Sequence, residues 1–413
     1  MTQITDTQSS QHTEPRSFSN DAHEVVRGLR VAFSELLISI GADPSTPGSI
    51  SEHLGLNKNL AWKLTKIIGA EDPAAALEQM PGPPGIRILL KGIDKTKAEP
   101  PLVQTARDAI SDYERLIRVH TGDRATLDMM GSNLATKGRQ TRDEQHRKLL
   151  YQGSSYVWGA QARTLLKIGM MVPSQRDGCV DLANVNSFID FRRIRPDVSW
   201  IMSRRASNSD DNHTGKAYSH EALDRAYALK NDLAPLMPEF CSDPVPDLRR
   251  VEDRDAVSYE LTEGPAGNTG ALTCTAGTVH RELPMYSSAE NRWGTHTARC
   301  EVPSELMIVD MLFHRELTFA MDPIVELYSD VAGMTSTHVR TKLHLSEQLM
   351  DLGVSRTPPP TPQYTRYRAM MEWLMDRMGH KYEDFRAFRI KIAYPAFPTA
   401  LEIKHPLPSR EDD

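Results

Sequence analysis

Residues Ser49 to Ile68 read SISEHLGLNKNLAWKLTKII. The pattern predicts two short helices, over 49–54 and 57–68, joined at a glycine. Ile50 and Leu54 make the inward side of the first helix. Gly55 falls where a tight interhelical turn calls for a residue that tolerates positive φ. Leu56 plugs the corner, and Asn57 is a good N-cap for the next helix. Ala61, Leu64 and Ile68 share the inner side of that helix, which leaves Asn59, Trp62, Lys63 and Lys66 on outer faces. From Asn57 to Ile68 there are three lysines and no acid. The chain as a whole has 49 Lys and Arg against 55 Asp and Glu, a net charge of -6. This is therefore a locally basic helix in an acidic protein, suited to a polyanion.

On the N-terminal side, Val25, Val26, Leu29, Phe33, Leu36 and Leu37 recur at helical spacing over 21–40. Asp21 is placed to cap that helix and Gly41 to end it. Residues 1–20 are rich in Thr, Gln and Ser and read as a disordered tail. On the C-terminal side, 73–80 reads as a short helix with Asp72 as cap and Pro73 in its first position. The Pro-Gly cluster that follows cannot continue a helix. Further helical elements are predicted over 86–93, 102–119, 123–135 and 143–150, with a charged, Pro-terminated linker at 95–101.

The segment 49–68 resembles the helix-turn-helix of bacterial transcription regulators, most closely the winged-helix type of the IclR and MarR families. The resemblance is confined to the N-terminal region. It departs from the family pattern at Ser51, where a small Ala or Gly is usual, and at Ala61, where Val or Ile is usual. The residues after Ile68 read as helix rather than as a two-stranded wing. The resemblance implies double-stranded DNA as partner, with the second helix in the major groove. Asn57, Lys58, Asn59, Trp62, Lys63 and Lys66 are then the DNA-binding residues. Asn59, Trp62 and Lys63 would face bases, and Lys58 and Lys66 would sit on or near phosphates, since Asn pairs with adenine and Lys reaches guanine or phosphate. By the same analogy a homodimer is expected.

Beyond residue 158 strand patterns dominate, at 162–172, 184–191, 198–202, 258–261, 272–282, 295–302, 306–313 and 318–324. A helix is predicted over 219–236, polar loops over 203–216 and 262–270, and a Pro-rich connector over 355–362. An amphipathic helix over 366–378 carries Met370, Met371, Trp373, Leu374, Met375 and Met378. Two last strands, 388–394 and 399–403, suggest a hairpin. The fold class is α+β: a helix-turn-helix domain (21–99), a helical linker region (100–157) and a larger mixed effector or dimerisation region (158–413).

Composition bounds the rest. Net charge and a pI near 6.2 exclude a protein basic throughout. Four cysteines without CxxC spacing argue against a disulfide scaffold and fit a reducing cytoplasm. No apolar run is long enough to span a bilayer, so no membrane partner is expected. Other constellations are weaker. Cys274, His280, His296 and Cys300 could ligate a soft metal, but strand alternation scatters them over two faces. Arg192, Arg193, Arg195, Arg204 and Arg205 could meet an anion, or could form a surface ion-pair network with Asp181, Asp190 and Asp197. GPAGNTG at 264–270 lacks the Lys-Ser/Thr of a phosphate loop. Gly153-Ser154-Ser155 is not a nucleophile elbow. No catalytic set, metal site or cofactor motif is assigned. The alternatives to a DNA-binding regulator with a sensing region are an enzyme with its site beyond residue 158, or an interaction scaffold that docks through the N-terminal hairpin.

Overall fold

The computed structural model describes residues 17–134, 139–206, 219–253, 256–289, 291–331 and 340–410. The protein is α+β, with a helical N-terminal unit, Met1–Arg142, followed by a larger sheet-rich unit, Asp143–Asp413.

Among its described residues the first unit is entirely helical. It comprises α1 (Phe18–Ser39), α2 (Pro47–Leu54), α3 (Lys58–Gly69), α4 (Pro73–Gln79), α5 (Pro83–Asp94), α6 (Pro100–Leu116) and α7 (Arg124–Leu134). Ser17, rather than Asp21, caps α1, accepting the Asn20 N–H at 3.3 Å. Asp21 lies inside the helix and meets His120 at 2.8 Å. The core is a single cluster in which Leu29, Phe33, Leu36 and Leu37 of α1 join Ile110 and Tyr113 of α6. The stretch expected as a linker is divided: α6 and α7 belong to the first unit, and α8 (Arg139–Trp158) carries the chain into the second. Most of the expected tail, residues 1–16, lies outside the described residues, and Phe18 to Asn20 are helical.

The second unit contains β1 (Ala160–Pro173), β2 (Cys179–Arg193), β3 (Trp200–Ala206), β4 (Ser219–Ala222), α9 (Arg225–Ala228), β5 (Leu248–Asp253), β6 (Ala256–Leu261) and β7 (Leu272–Pro284). Then come β8 (Trp293–Cys300), β9 (Ser304–His314), β10 (Ile324–Ser329), β11 (Lys342–Leu343), β12 (Met350–Val354), α10 (Tyr367–Met378), β13 (Phe385–Ala393) and β14 (Thr399–Pro406). A seven-stranded sheet has the order β12-β13-β9-β1-β2-β7-β4, with β1 and β9 parallel. A four-stranded sheet runs β11-β10-β14-β8, and a small sheet runs β3-β6-β5.

The large sheet is covered on both faces, which explains the near-continuous apolar run of β1. Leu166, Ile168 and Met170 pack on one face with Met370, Met371 and Leu374 of α10. Leu165, Met171, Met307, Val309 and Met311 pack on the other with Leu401 and Ile403 of the four-stranded sheet. The methionines of α10 are thus core residues.

Three sequence expectations are corrected. The helix over 219–236 is instead β4 and the single turn α9. Asp224 caps that turn, which ends at Ala228, and Asp232 and Leu233 beyond it adopt positive φ (50° and 61°). The strand at 318–324 is a 3₁₀ turn, Thr318–Ala320, and β10 begins only at Ile324, after Pro323. The last two strands do not form a hairpin: β13 pairs with β9 and β12, and β14 with β8 and β10. Each finds its partner in a different sheet, so the loop between them crosses the sandwich. Most of the polar stretch 203–216 lies outside the described residues, and residues 203–206 belong to β3.

Candidate functional site

The hairpin of α2 and α3 is built as its residues dictate. α2 ends at Gly55, which adopts the left-handed conformation (φ 62°, ψ 32°). The Leu56 N–H donates to Ser51 O at 3.1 Å, and Ser51 Oγ donates to Leu56 O at 2.6 Å. Ser51, a departure from the small residue usual there, therefore closes the turn with its own side chain. Asn57 accepts the Leu60 N–H at 2.8 Å and starts α3. Ile50, Leu54, Leu56, Leu60, Ala61, Leu64 and Ile67 are buried. The buried stripe of α3 runs through 60, 61, 64 and 67, so Ile67 takes the deep position assigned to Ile68, which is half-buried. Ala61 is fully buried. After α3 come α4 and α5, and no strand of a wing occurs among the described residues of this unit. Instead α5 packs on α2 through Gly92, where a Cβ would lie 2.7 Å from the Leu54 carbonyl oxygen.

The outer face of α3 carries the expected residues unevenly. Asn57, Lys58, Asn59, Trp62 and Lys66 are exposed, and Lys63 is half-buried. Trp62 is 44% exposed, high for an indole. The Lys66 ammonium lies 5.6 Å from its ring centroid, a cation–π pair one turn apart. Asn57 uses one lone pair of its carbonyl oxygen as the cap, which leaves its two amide N–H groups and the other lone pair for a ligand. The segment 57–97 holds seven basic and four acidic residues, a local excess of positive charge.

The second unit holds a polar pocket of about 350 Å³, within the range of small-molecule sites. Lys167 of β1, itself buried, pairs with Glu301 at 2.5 Å. Asn186 of β2 donates to the same Glu301 carboxylate at 3.0 Å and to Met202 O at 3.3 Å, while its own Oδ1 is buried without a hydrogen bond. His296 of β8 is 7% exposed; burial, the Lys167 ammonium and His280 hold its pKa down at about 4. It is a neutral imidazole at physiological pH. Gly169 makes room for it: a Cβ there would lie 2.8 Å from His296 Cε1. Arg204 of β3 completes the wall. Lys167 is neutralised by Glu301, so Arg204 is the cation the pocket offers, with an acceptor at Asn186 that has no hydrogen bond. Its residues come from separate strands, so no local motif announces it.

The arginine cluster at 192–205 does not form one anion site. Arg193 is buried and donates to Val198 O and Thr262 O. Arg195 donates to Tyr156 O at 3.0 Å and lies 3.8 Å from Asp197. The Arg205 side chain lies outside the described residues. Asp181 and Asp190 pair with Arg281 and Arg163. Cys274, His280, His296 and Cys300 do not converge into a ligand set among the described residues. Gly153 to Ser155 lie within α8, and Gly267–Gly270 form a 3₁₀ turn.

No family model matches the chain, and no curated protein does. Among solved structures, one similarity is to the crystal structure of a "putative protease" from Parabacteroides distasonis. That alignment has 8% identity and a TM-score of 0.25, and covers 60% of this chain and 41% of the other. No helix among the described residues is long and apolar enough to cross a membrane.

Proposed function

We propose that the protein is a sequence-specific DNA-binding regulator of transcription, acting in the cytoplasm as a homodimer, with α3 as its reading helix. The observation that supports this most is the free face of α3. It presents Lys58, Asn59, Trp62 and Lys66 to solvent beyond a closed, well-capped turn. Trp62, 44% exposed, sits beside Lys66 on that face. Against DNA, Asn59 would read a base edge, the Trp62 ring would pack on apolar base surface, and Lys58 and Lys66 would meet phosphates. Lys63, half-buried, reaches only the margin of that surface.

The pocket of the second unit is the natural place for an effector. Arg204 suits an anionic group, since Lys167 is already paired with Glu301, and Asn186 Oδ1 suits an N–H or O–H donor beside it. That combination selects a small polar molecule carrying a carboxylate or phosphate next to a hydrogen-bond donor.

The test is fluorescence anisotropy of the full chain on its own upstream DNA at about 150 mM salt, the range in which specific affinities are compared. Scrambled DNA and the double variant Asn59→Ala, Trp62→Ala are run in parallel. The reading expects binding roughly 10³-fold tighter to the native fragment than to scrambled DNA, and lost in the variant. Equal, weak binding to both fragments, followed by an empty random-library selection, overturns it. The hairpin would then be a docking element, and the pocket would become the site to pursue.

A further inference from the structure

His314 is the last residue of β9. His380 follows Gly379, which ends α10 in the left-handed conformation (φ 74°). Asp384 closes the 3₁₀ turn Tyr382–Asp384 just before β13. Each is positioned by main-chain bonds. The His380 N–H donates to Met375 O at 3.0 Å, the Arg315 N–H to Asp384 O at 2.9 Å, and the Lys381 N–H to Asp384 Oδ2 at 2.8 Å. Phe385 pairs with His314 across β13 and β9. Its ring backs both imidazoles, with centroids at 5.5 Å from His314 and 5.7 Å from His380. The two imidazoles meet edge to face at 5.0 Å.

One donor atom from each of His314, His380 and Asp384 lies within 4.8 Å of the others, and all three residues are half-buried. We propose that these three side chains form a binding site for a divalent first-row transition ion of the Zn²⁺ class. Two imidazoles and one carboxylate are the donor set such ions prefer, and Mg²⁺ and Ca²⁺ prefer all-oxygen shells. Metal–ligand bonds of about 2.0–2.2 Å require tetrahedral donors about 3.3–3.6 Å apart, a small contraction for two side chains and a turn. The Glu316 N–H donates to His314 Nδ1 at 3.4 Å, which leaves Nε2 for the ion, and a water molecule would fill a remaining position. A bound ion ties the turn between α10 and β13 to the end of β9.

The experiment uses the full chain, stripped with a chelator and dialysed. Zn²⁺ is titrated in competition with a chromophoric chelator, and Co²⁺ is added separately to record its visible absorption. The expected result is one tight site per chain, a Co²⁺ spectrum of nitrogen and oxygen ligation, and a melting temperature raised by Zn²⁺. His380→Gln and Asp384→Asn are each expected to weaken binding at least about tenfold and to abolish the thermal shift. His53→Gln, an exposed histidine of α2, is the control that leaves both unchanged. Asp384→Asn retains the acceptor for the Lys381 N–H, so it keeps the turn if His380→Gln disturbs it. Zn²⁺ affinity equal in the wild type and both folded variants, or no uptake by the wild type, overturns the proposal.

Discussion

Asp310 of β9 and Arg389 of β13 face each other in register and meet through two bonds, Nε to Oδ1 at 2.6 Å and Nη2 to Oδ2 at 2.7 Å. The two residues are each 2% exposed. Tyr367 of α10 adds its hydroxyl to Asp310 Oδ2 at 2.5 Å, so a single carboxylate joins helix and sheet. Burial and that carboxylate raise the Tyr367 pKa well above its ordinary value, which keeps the phenol a donor. Arg389→Leu would leave Asp310 charged and without its cation. It is expected to cost about 3–5 kcal/mol in urea unfolding, whereas Asp310→Leu with Arg389→Leu together should recover much of that loss.

The hairpin depends on two glycines for different reasons. Gly55→Ala places a side chain at φ 62°, with open space around it, and is expected to cost about 1–2 kcal/mol from backbone strain alone. Gly92→Ala has ordinary φ but sets a Cβ 2.7 Å from Leu54 O and 3.2 Å from Leu56 Cδ2. Backbone must move, and a loss of about 1–3 kcal/mol is expected. Hydrogen exchange should separate the two: Gly92→Ala loosens α2 and α5, while Gly55→Ala acts at the turn.

Asn57 and Trp62 are expected to divide between stability and binding. Asn57→Ala removes the α3 cap and should lower stability by about 1 kcal/mol. Trp62→Ala removes an exposed ring and should leave the melting temperature almost unchanged. On DNA the order reverses if α3 is the reading helix: Trp62→Ala should weaken specific binding more than Asn57→Ala. Calorimetry and anisotropy on the same two variants check both halves.

His296 provides a pH test. Its folded pKa, about 4, lies below the 6.5 of the free side chain. Between these values the unfolded chain takes up a proton that the native chain refuses, so native stability falls as pH drops. The contribution is complete above pH 6.5 and is lost progressively toward pH 4, reaching about 3 kcal/mol. His296→Asn should flatten the melting-temperature profile in that window. Burial also lowers the pKa of His280 and His405, and these add in the same direction.

Local elements were legible wherever one residue pattern faced one environment. α3 and its capping Asn57, the αL turn at Gly55, and the period of α10 follow from the order of residues, because caps, turns and amphipathic stripes act within a few positions. The buried stripe of α3 differs from the sequence pattern at both ends: Leu60 joins it, and Ile67 replaces Ile68, since these residues are equally apolar and only packing chooses among them. The segment 219–236 misled because its apolar spacing imitates a helix, while Leu236 in fact bridges to Ala276 of β7.

The α+β division, the α2–α3 hairpin and most strands were set by sequence, since propensity, capping and alternation are properties of neighbouring residues. Tertiary packing alone decided that β13 and β14 part into different sheets and that β1 lies parallel to β9. It also decided that Lys167, Asn186, His296 and Glu301 share a pocket, and that His314 meets His380 and Asp384. These pairings join residues from tens of positions to more than a hundred apart. What brings them together is the burial of whole sheet faces, and no short stretch of chain carries that information.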